Sequence, residues 1–412
     1  MAETRLAIVG AGVAGCALAA CLRRGGWSGA ISLLEIGRGP GGRAASRRSR
    51  HDPGLLINHG APLFNIASSF NIASSGAEPA LLEPLRQGGW IRPWRGAIQS
   101  LNGDGRLADP IDDGFSSGAL WQGNGGMDQL SAGLLALAEQ QPGTTSSRYG
   151  CLVRNLVRTG PGSEAGWSLR DGDGTELLQA DWLVLSGSLL AHPRCRMVFG
   201  WPDVPLQRAA ALSDDPALTA AATALAGLES HGSSNLLRHL SPEQAAPWLE
   251  QPWRLLQLQP PAQQRWGLRR LSLQQLGDGR CTLVAESSPE FASAHRQVYG
   301  SRSSAAQLLG AAPPADQEQA VLDALEAAVQ GAVGAGLGLT LPTGSGAQRQ
   351  LMRWGAAFPA DGTDRGLPAH LSLCPASRIG FCGDAVSGPG FGRVEGALRS
   401  AEALSEQLLP RL

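Results

Sequence analysis

Leu6-Ala7-Ile8-Val9-Gly10-Ala11-Gly12-Val13-Ala14-Gly15 is the stretch from which the rest of the chain is read. Its first four residues are an apolar run, the length of a buried parallel strand. Three glycines at G-x-G-x-x-G spacing follow without a spacer, and residues 16–22 form an apolar helical run. Arg23-Arg24-Gly25-Gly26 then supplies cations and glycines where a helix ends. Residues 31–34 read as a second strand with Glu35 at its end, twenty positions beyond Gly15. Each residue type has a physical task. Gly10 lets the backbone turn sharply, Gly12 leaves room for a pyrophosphate, and Gly15 lets helix and strand pack closely. The free N–H groups and positive end of the helix favour the phosphates, and Glu35 can accept from a ribose diol. The unit suits a dinucleotide, either FAD or NAD(P).

The chain has 412 residues, more than one compact core usually holds, so two domains are expected. With 43% hydrophobic and 17% charged residues it has a globular composition. A net charge of -1 gives no global field to attract nucleic acid, which is not an expected partner. All 34 cations are arginine; no lysine occurs. That excludes Schiff-base and pyridoxal-phosphate chemistry and a Walker-type phosphate loop. Seven scattered cysteines without a C-x-x-C point to reduced, buried thiols, no metal site and a cytoplasmic setting. No run of 18 apolar residues predicts a membrane span.

Beyond Glu35 comes Gly37-Arg38-Gly39-Pro40-Gly41-Gly42-Arg43-Ala44-Ala45-Ser46-Arg47-Arg48. Its glycines allow close backbone approach, and Arg43 could set a bidentate guanidinium on a diphosphate. Asn58-His59-Gly60-Ala61-Pro62-Leu63-Phe64 and Gly123-Asn124-Gly125-Gly126-Met127-Asp128-Gln129-Leu130 follow. Near the far end stand Ile379-Gly380-Phe381-Cys382-Gly383-Asp384 and Gly388-Pro389-Gly390-Phe391-Gly392-Arg393-Val394, which opens a last helix over 394–409. Together these segments resemble the renalase-like branch of the flavin amine oxidase superfamily, with Asn58 where the pattern usually has Asp.

The resemblance implies a non-covalent FAD. Gly10, Gly12, Ala14, Gly15, Glu35, Gly41, Gly42 and Arg43 would hold its nucleotide half. Ala61, Pro62 and Leu63 would line it, and the Val153 amide would meet the adenine. Gly383, Asp384, Gly392, Arg393 and Val394 would serve the ribityl chain and flavin. N–H groups at the helix start near Arg393 and Val394 can stabilise negative charge on a reduced flavin. The fold class expected is α/β: a discontinuous Rossmann-like FAD-binding domain (1–75, 120–192 and 345–412) with an inserted mixed α+β cap (76–119 and 193–344).

Within the cap, residues 209–228 and 317–333 read as helices. Residues 253–258, 266–273 and 281–285 read as strands of an antiparallel sheet. Trp90 and Trp94 read as packed aromatics or pocket walls. Residues 151–153 read as strand-like. His295 could contact substrate, and Trp354 could wall the flavin pocket. Phe64-Asn65-Ile66-Ala67-Ser68-Ser69 recurs at once as Phe70 to Ser75. It reads as a local duplication in a surface connection, with no function assigned.

The same resemblance implies that the chain would be an FAD-dependent oxidase acting on isomeric dihydronicotinamide dinucleotides, with dioxygen as acceptor. No acid/base pair stands out, which suits direct hydride transfer. Amine oxidation is an alternative, disfavoured by the missing lysine. Desaturation or isomerisation of a polyene, and flavin binding without turnover, also stay open.

Overall fold

In the computed structural model the described residues are 4–49, 51–66, 77–160, 165–301, 303, 306–307, 314–342, 349–360 and 366–412. The opening stretch folds as read: a strand at Arg5–Val9, a helix at Val13–Arg24 and a strand at Ala30–Glu35. Arg5–Val9 sits at the centre of a six-stranded sheet. Ala30–Glu35 and Thr145–Tyr149 lie on one side of it, Trp182–Leu185, Ile379–Phe381 and Leu373–Cys374 on the other. All pairs are parallel except the last. Strand order therefore reverses at Arg5–Val9, and the crevice beyond its carboxyl end is where such sheets take ligands.

The first helix is buried on nearly every side, because the sheet, the Asp128–Glu139 helix and the Val394–Leu408 helix all pack on it. Arg23, at its carboxyl end, is fully buried. Its guanidinium donates to Trp27 O (2.7 Å), Thr144 O (2.7 Å) and Thr145 Oγ1 (3.1 Å). Phe64–Ile66 is a buried strand of a small sheet, so the first repeat copy begins inside the core rather than in a surface connection. Residues 67–75 of the duplication lie outside the described residues.

A seven-stranded sheet forms the second layer. Its order is Arg349–Pro359, Ser230–Leu240, Cys281–Ser287, Leu268–Gln275, Leu255–Leu258, Ile98–Leu101 and Leu107–Ala108. It is antiparallel except where Leu255–Leu258 meets Ile98–Leu101 in parallel. Three expected strands are present, but the long inner Ser230–Leu240 strand, second from the edge, was not anticipated. Its polar start, Ser230-His231-Gly232-Ser233-Ser234-Asn235, hides the alternation that marks a strand.

Four segments differ from the reading. Residues 209–228 are two helices, Pro205–Ala211 and Pro216–Ala226, because Asp215 caps the second by accepting from Ala217 N (3.0 Å) and Leu218 N (3.3 Å). Leu82–Gln87 and Ile91–Pro93 pack with the first helix's core, and the chain enters the second sheet only at Ile98. Arg349–Pro359 belongs to the second sheet and not to the nucleotide-side sheet. Residues 151–153 are not strand; the next strand is Asn155–Arg158.

The Ala315–Leu337 helix is 23 residues long and apolar enough by composition to cross a membrane. Its Val321, Leu325, Val329 and Val333 face instead packs into the second core. All seven cysteines are free thiols, five of them buried.

Gly15 sets the tightest contact in the first unit. A Cβ there would lie 2.1 Å from Gly10 O and 2.8 Å from Ser186 Oγ. Gly15→Ala must push helix and strand apart, and the expected loss is about 1–3 kcal/mol. Urea midpoints at unchanged slope measure it; a wild-type midpoint would show that the contact can relax without cost.

Candidate functional site

One cavity of about 1190 Å³ opens between the two sheets, beyond the carboxyl end of Arg5–Val9. Its glycine floor comes from both early motifs. Gly10 has φ +105°, and Gly12 bridges Gly41, whose N–H donates to Ala11 O at 2.8 Å. A Cβ on Gly42 would come within 3.3 Å of Gly12 Cα, so the notch between them is bare backbone.

Glu35 is buried at the sheet edge of this notch. Its Oε2 accepts from Ala11 N (2.8 Å) and its Oε1 from Gly37 N (2.6 Å). Burial raises its pKa, while the two amides act in the opposite sense. The carboxylate thus latches the glycine turn to the following loop, and each oxygen keeps a second lone pair for a ligand hydroxyl.

Arg43 and Asp384 are ion-paired across 341 residues, and Arg43 also donates to Ala357 O at 3.2 Å. The guanidinium expected on a diphosphate is therefore turned to the far motif's carboxylate. Arg194, half-buried on Arg194–Phe199, donates to Ser188 Oγ at 2.9 Å and faces both partners. Burial, and then Arg43, bring its pKa down to about 10. No motif in the sequence marked Arg194.

Gly383 has φ +134°, and Ser400 Oγ bonds both its N–H (2.9 Å) and its carbonyl (3.0 Å). Gly392, Arg393 and Val394 meet the cavity at the amino end of the last helix. Arg393 donates to Gly114 O at 2.7 Å. Leu63, Ala61, Ala14 and Val153 also line the cavity. Of the residues expected at the cofactor, Gly15 and Pro62 are not in the wall. Gly15 acts through packing.

The second sheet supplies the roof. Trp354 lines the cavity and stacks on His59, ring centroids 5.5 Å apart and 8° from parallel. His295 lies outside it, at the end of Pro289–Ala294 with its ring against Phe291. Trp90 and Trp94 lie outside it too; Trp90 packs on Gly133. The sequence reading passed over Glu286, which is buried and takes Arg270 through Nε (3.1 Å) and Nη2 (2.8 Å) and Arg269 at 3.2 Å. It also passed over His59. The second sheet is stitched to the Asn58–His59 segment beside these residues. Gln274 receives Asn58 N–H (2.8 Å) and donates to Asn58 O (2.9 Å), while Asn235 donates to His59 O (3.1 Å).

Eight arginines and five carboxylates line the cavity, in a protein whose net charge is -1. Its buried carboxylates, Glu35 and Glu286, are already engaged by amides or guanidinium groups. The arrangement favours anionic ligands over ammonium groups.

Residues 8–74 match the profile of the NAD(P)-binding Rossmann-like domain. No curated protein matches the chain by sequence. Among solved structures, one similar fold is a candidate protoporphyrinogen oxidase from Exiguobacterium sp. 255-15 (TM-score 0.61, 14% identity, all of both chains). Another is an oxidoreductase from Methanosarcina mazei (0.60, 12%, 98% of this chain and 100% of that one). A third is a putrescine oxidase triple mutant redesigned in cofactor binding (0.58, 14%, 99% of each). These likenesses establish the architecture: a Rossmann-like nucleotide-binding fold with mixed α/β content.

His59 provides a test of the site's electrostatics. Burial, with Arg47 and Arg38 facing it, brings its pKa from 6.5 down to about 3. Between those values the unfolded chain binds a proton that the folded protein refuses, so stability falls as pH drops through the window. His59→Phe removes that share. The loss of stability from pH 6.5 to 4, followed by urea midpoints, should be shallower in the variant; parallel curves would contradict the shift.

Proposed function

We propose that this chain is an FAD-dependent oxidoreductase, an oxidase that removes hydride from isomeric dihydronicotinamide dinucleotides. One observation carries the reading: motifs from both ends of the chain converge on a single cavity, joined by the Arg43–Asp384 pair. The Gly10-to-Glu35 unit by itself suits NAD(P) as well as FAD. FAD is favoured because the cavity continues from the glycine notch to the last helix's amino end and under Trp354.

The chain's own groups fit the cofactor. The bare Gly12–Gly42 notch and the first helix's free N–H groups suit a pyrophosphate. Glu35 retains acceptor capacity for ribose hydroxyls. Asp384 and Arg43 would hold the stretch between ribityl chain and pyrophosphate, and the N–H groups after Arg393 would meet the electron-rich edge of the ring system. When bound, a flavin would supply a hydride acceptor that dioxygen can reoxidise. The protein's part is to orient substrate beneath Trp354 and His59 and to exclude water under the second sheet.

The arginine-rich wall supports a dinucleotide substrate with its own phosphates. It counts against an amine, as does the absence of any lysine beside the cavity. Free thiols suit a cytoplasmic setting.

Purified protein should carry a flavin visible spectrum, or regain one with FAD. Anaerobic addition of 2- or 6-dihydronicotinamide dinucleotide should bleach it within the mixing time of a turnover assay. Bleaching by an amine alone would move the assignment to amine oxidation, and bleaching by no candidate would leave flavin binding without turnover. Asp384→Ala should weaken FAD binding about tenfold, in line with losing a charge-assisted contact; fluorescence titration of stripped protein measures it.

A further inference from the structure

His59 is buried, yet its Nδ1 has no hydrogen-bond partner. A buried polar atom left unsatisfied is destabilising, and a phenyl ring in the same slot would avoid that cost. The imidazole is nevertheless held with care. Its ring stacks on Trp354. Its carbonyl accepts from Trp354 Nε1 (3.2 Å) and Asn235 Nδ2 (3.1 Å). The preceding Asn58 side chain accepts from Met127 N (2.9 Å) and Ser46 Oγ (2.7 Å). The seven-stranded sheet on one side and the Ser46–Asn58 ladder with Met127 on the other therefore set backbone and ring plane, and the residue lines the cavity.

The two ring nitrogens differ. Nδ1 is sealed off with no acceptor in reach, so a proton there would be an orphaned donor. The favoured tautomer puts the proton on Nε2, the ring nitrogen left to serve the cavity that His59 lines. Among the described residues, Arg47 and Arg38 are the charged groups that act on the ring, and no carboxylate does so. An ammonium ligand would meet like charge here, whereas a carbonyl-type oxygen would meet a donor in a positive field.

We propose that His59 is a binding residue that donates through Nε2 to a carbonyl-type acceptor of the molecule occupying the cavity. Resting on the flavin reading above, this acceptor belongs either to the flavin ring system or to the substrate's carboxamide. The shared chemistry is a neutral donor that selects a planar carbonyl-bearing ring and rejects a cation.

The test uses full-length wild type, His59→Phe and His59→Gln. Phenylalanine keeps the stack on Trp354 and removes both nitrogens; glutamine restores an N–H at comparable reach. Each is stripped of flavin, titrated with FAD, and then reduced anaerobically by a dihydronicotinamide dinucleotide. His59→Phe should melt at or above the wild-type temperature while one titration weakens about three- to tenfold, with partial recovery in His59→Gln. A raised FAD Kd with a shifted visible band assigns the acceptor to the flavin. An unchanged FAD Kd with a raised substrate requirement for bleaching assigns it to the substrate. Wild-type behaviour of His59→Phe in both titrations overturns the proposal, whether or not its melting temperature falls. A wild-type protein that takes up no flavin overturns the parent reading, and with it this one.

Discussion

The carbonyl of Gly10 and the α-carbon of Gly15 approach so closely that no side chain fits between them. Everything else in the nucleotide-side unit depends on that contact. It seats the first helix directly over the end of Arg5–Val9, with its amino terminus facing the crevice. Ser186 Oγ fills the same junction from the neighbouring strand, donating to Val9 O (3.1 Å) and Gly10 O (2.8 Å). Glu35 then latches Ala11 to Gly37, and Gly41 bonds back to Ala11 O. The result is a turn fixed from four directions before any ligand arrives, which is what preorganised anion binding at a helix terminus requires.

A chain whose only basic side chain is arginine solves its burial problems in a characteristic way. Arg23 meets two carbonyls and a hydroxyl at once, which one planar guanidinium can do and a single ammonium does poorly. Arg270 and Arg269 close on Glu286 in the same manner, and Arg238 meets Glu326 and Pro342 O. Removing one partner from such a group leaves an uncompensated buried charge, so these clusters resist stepwise change. The same chemistry governs the cavity. Its cations cannot lose a proton near neutral pH, and its deepest carboxylates are spoken for. Positive charge in the wall is therefore fixed, and discrimination among anionic ligands falls to geometry and to neutral donors.

Much of the nucleotide-side unit was legible because its residues answer local demands. Gly10 needs a positive φ, Gly15 needs the space, and a carboxylate at a strand end can reach two amides; each demand leaves a fixed spacing in the sequence. The last motif was legible for the same reason, since Gly383 and Gly392 also adopt positive φ. What sequence spacing could not give was partnership. Arg43 and Asp384 each looked like a cofactor ligand, and the fold pairs them with each other. Arg194 carries no motif at all, because its role depends on a neighbour 151 residues earlier in sequence and on burial that only the fold creates.

The second sheet was harder to read, and the reason bears on what the protein does. Its cavity face is polar: Gln350, Ser233, Asn235, Glu286 and Arg270 interrupt the alternation that identifies strands. A sheet that buried only apolar groups against the nucleotide unit would have been easy to find and chemically mute. Instead, its polar side chains bond the backbone of Asn58 and His59, so that this cavity-lining segment is positioned by the roof as well as by its own strand. Changes in the roof therefore act through Trp354 and Asn235 on the orientation of His59, without touching the glycine notch. The glycine notch and the roof can then vary independently, the first through residues of the parallel sheet and the second through residues that break the pattern of the antiparallel one.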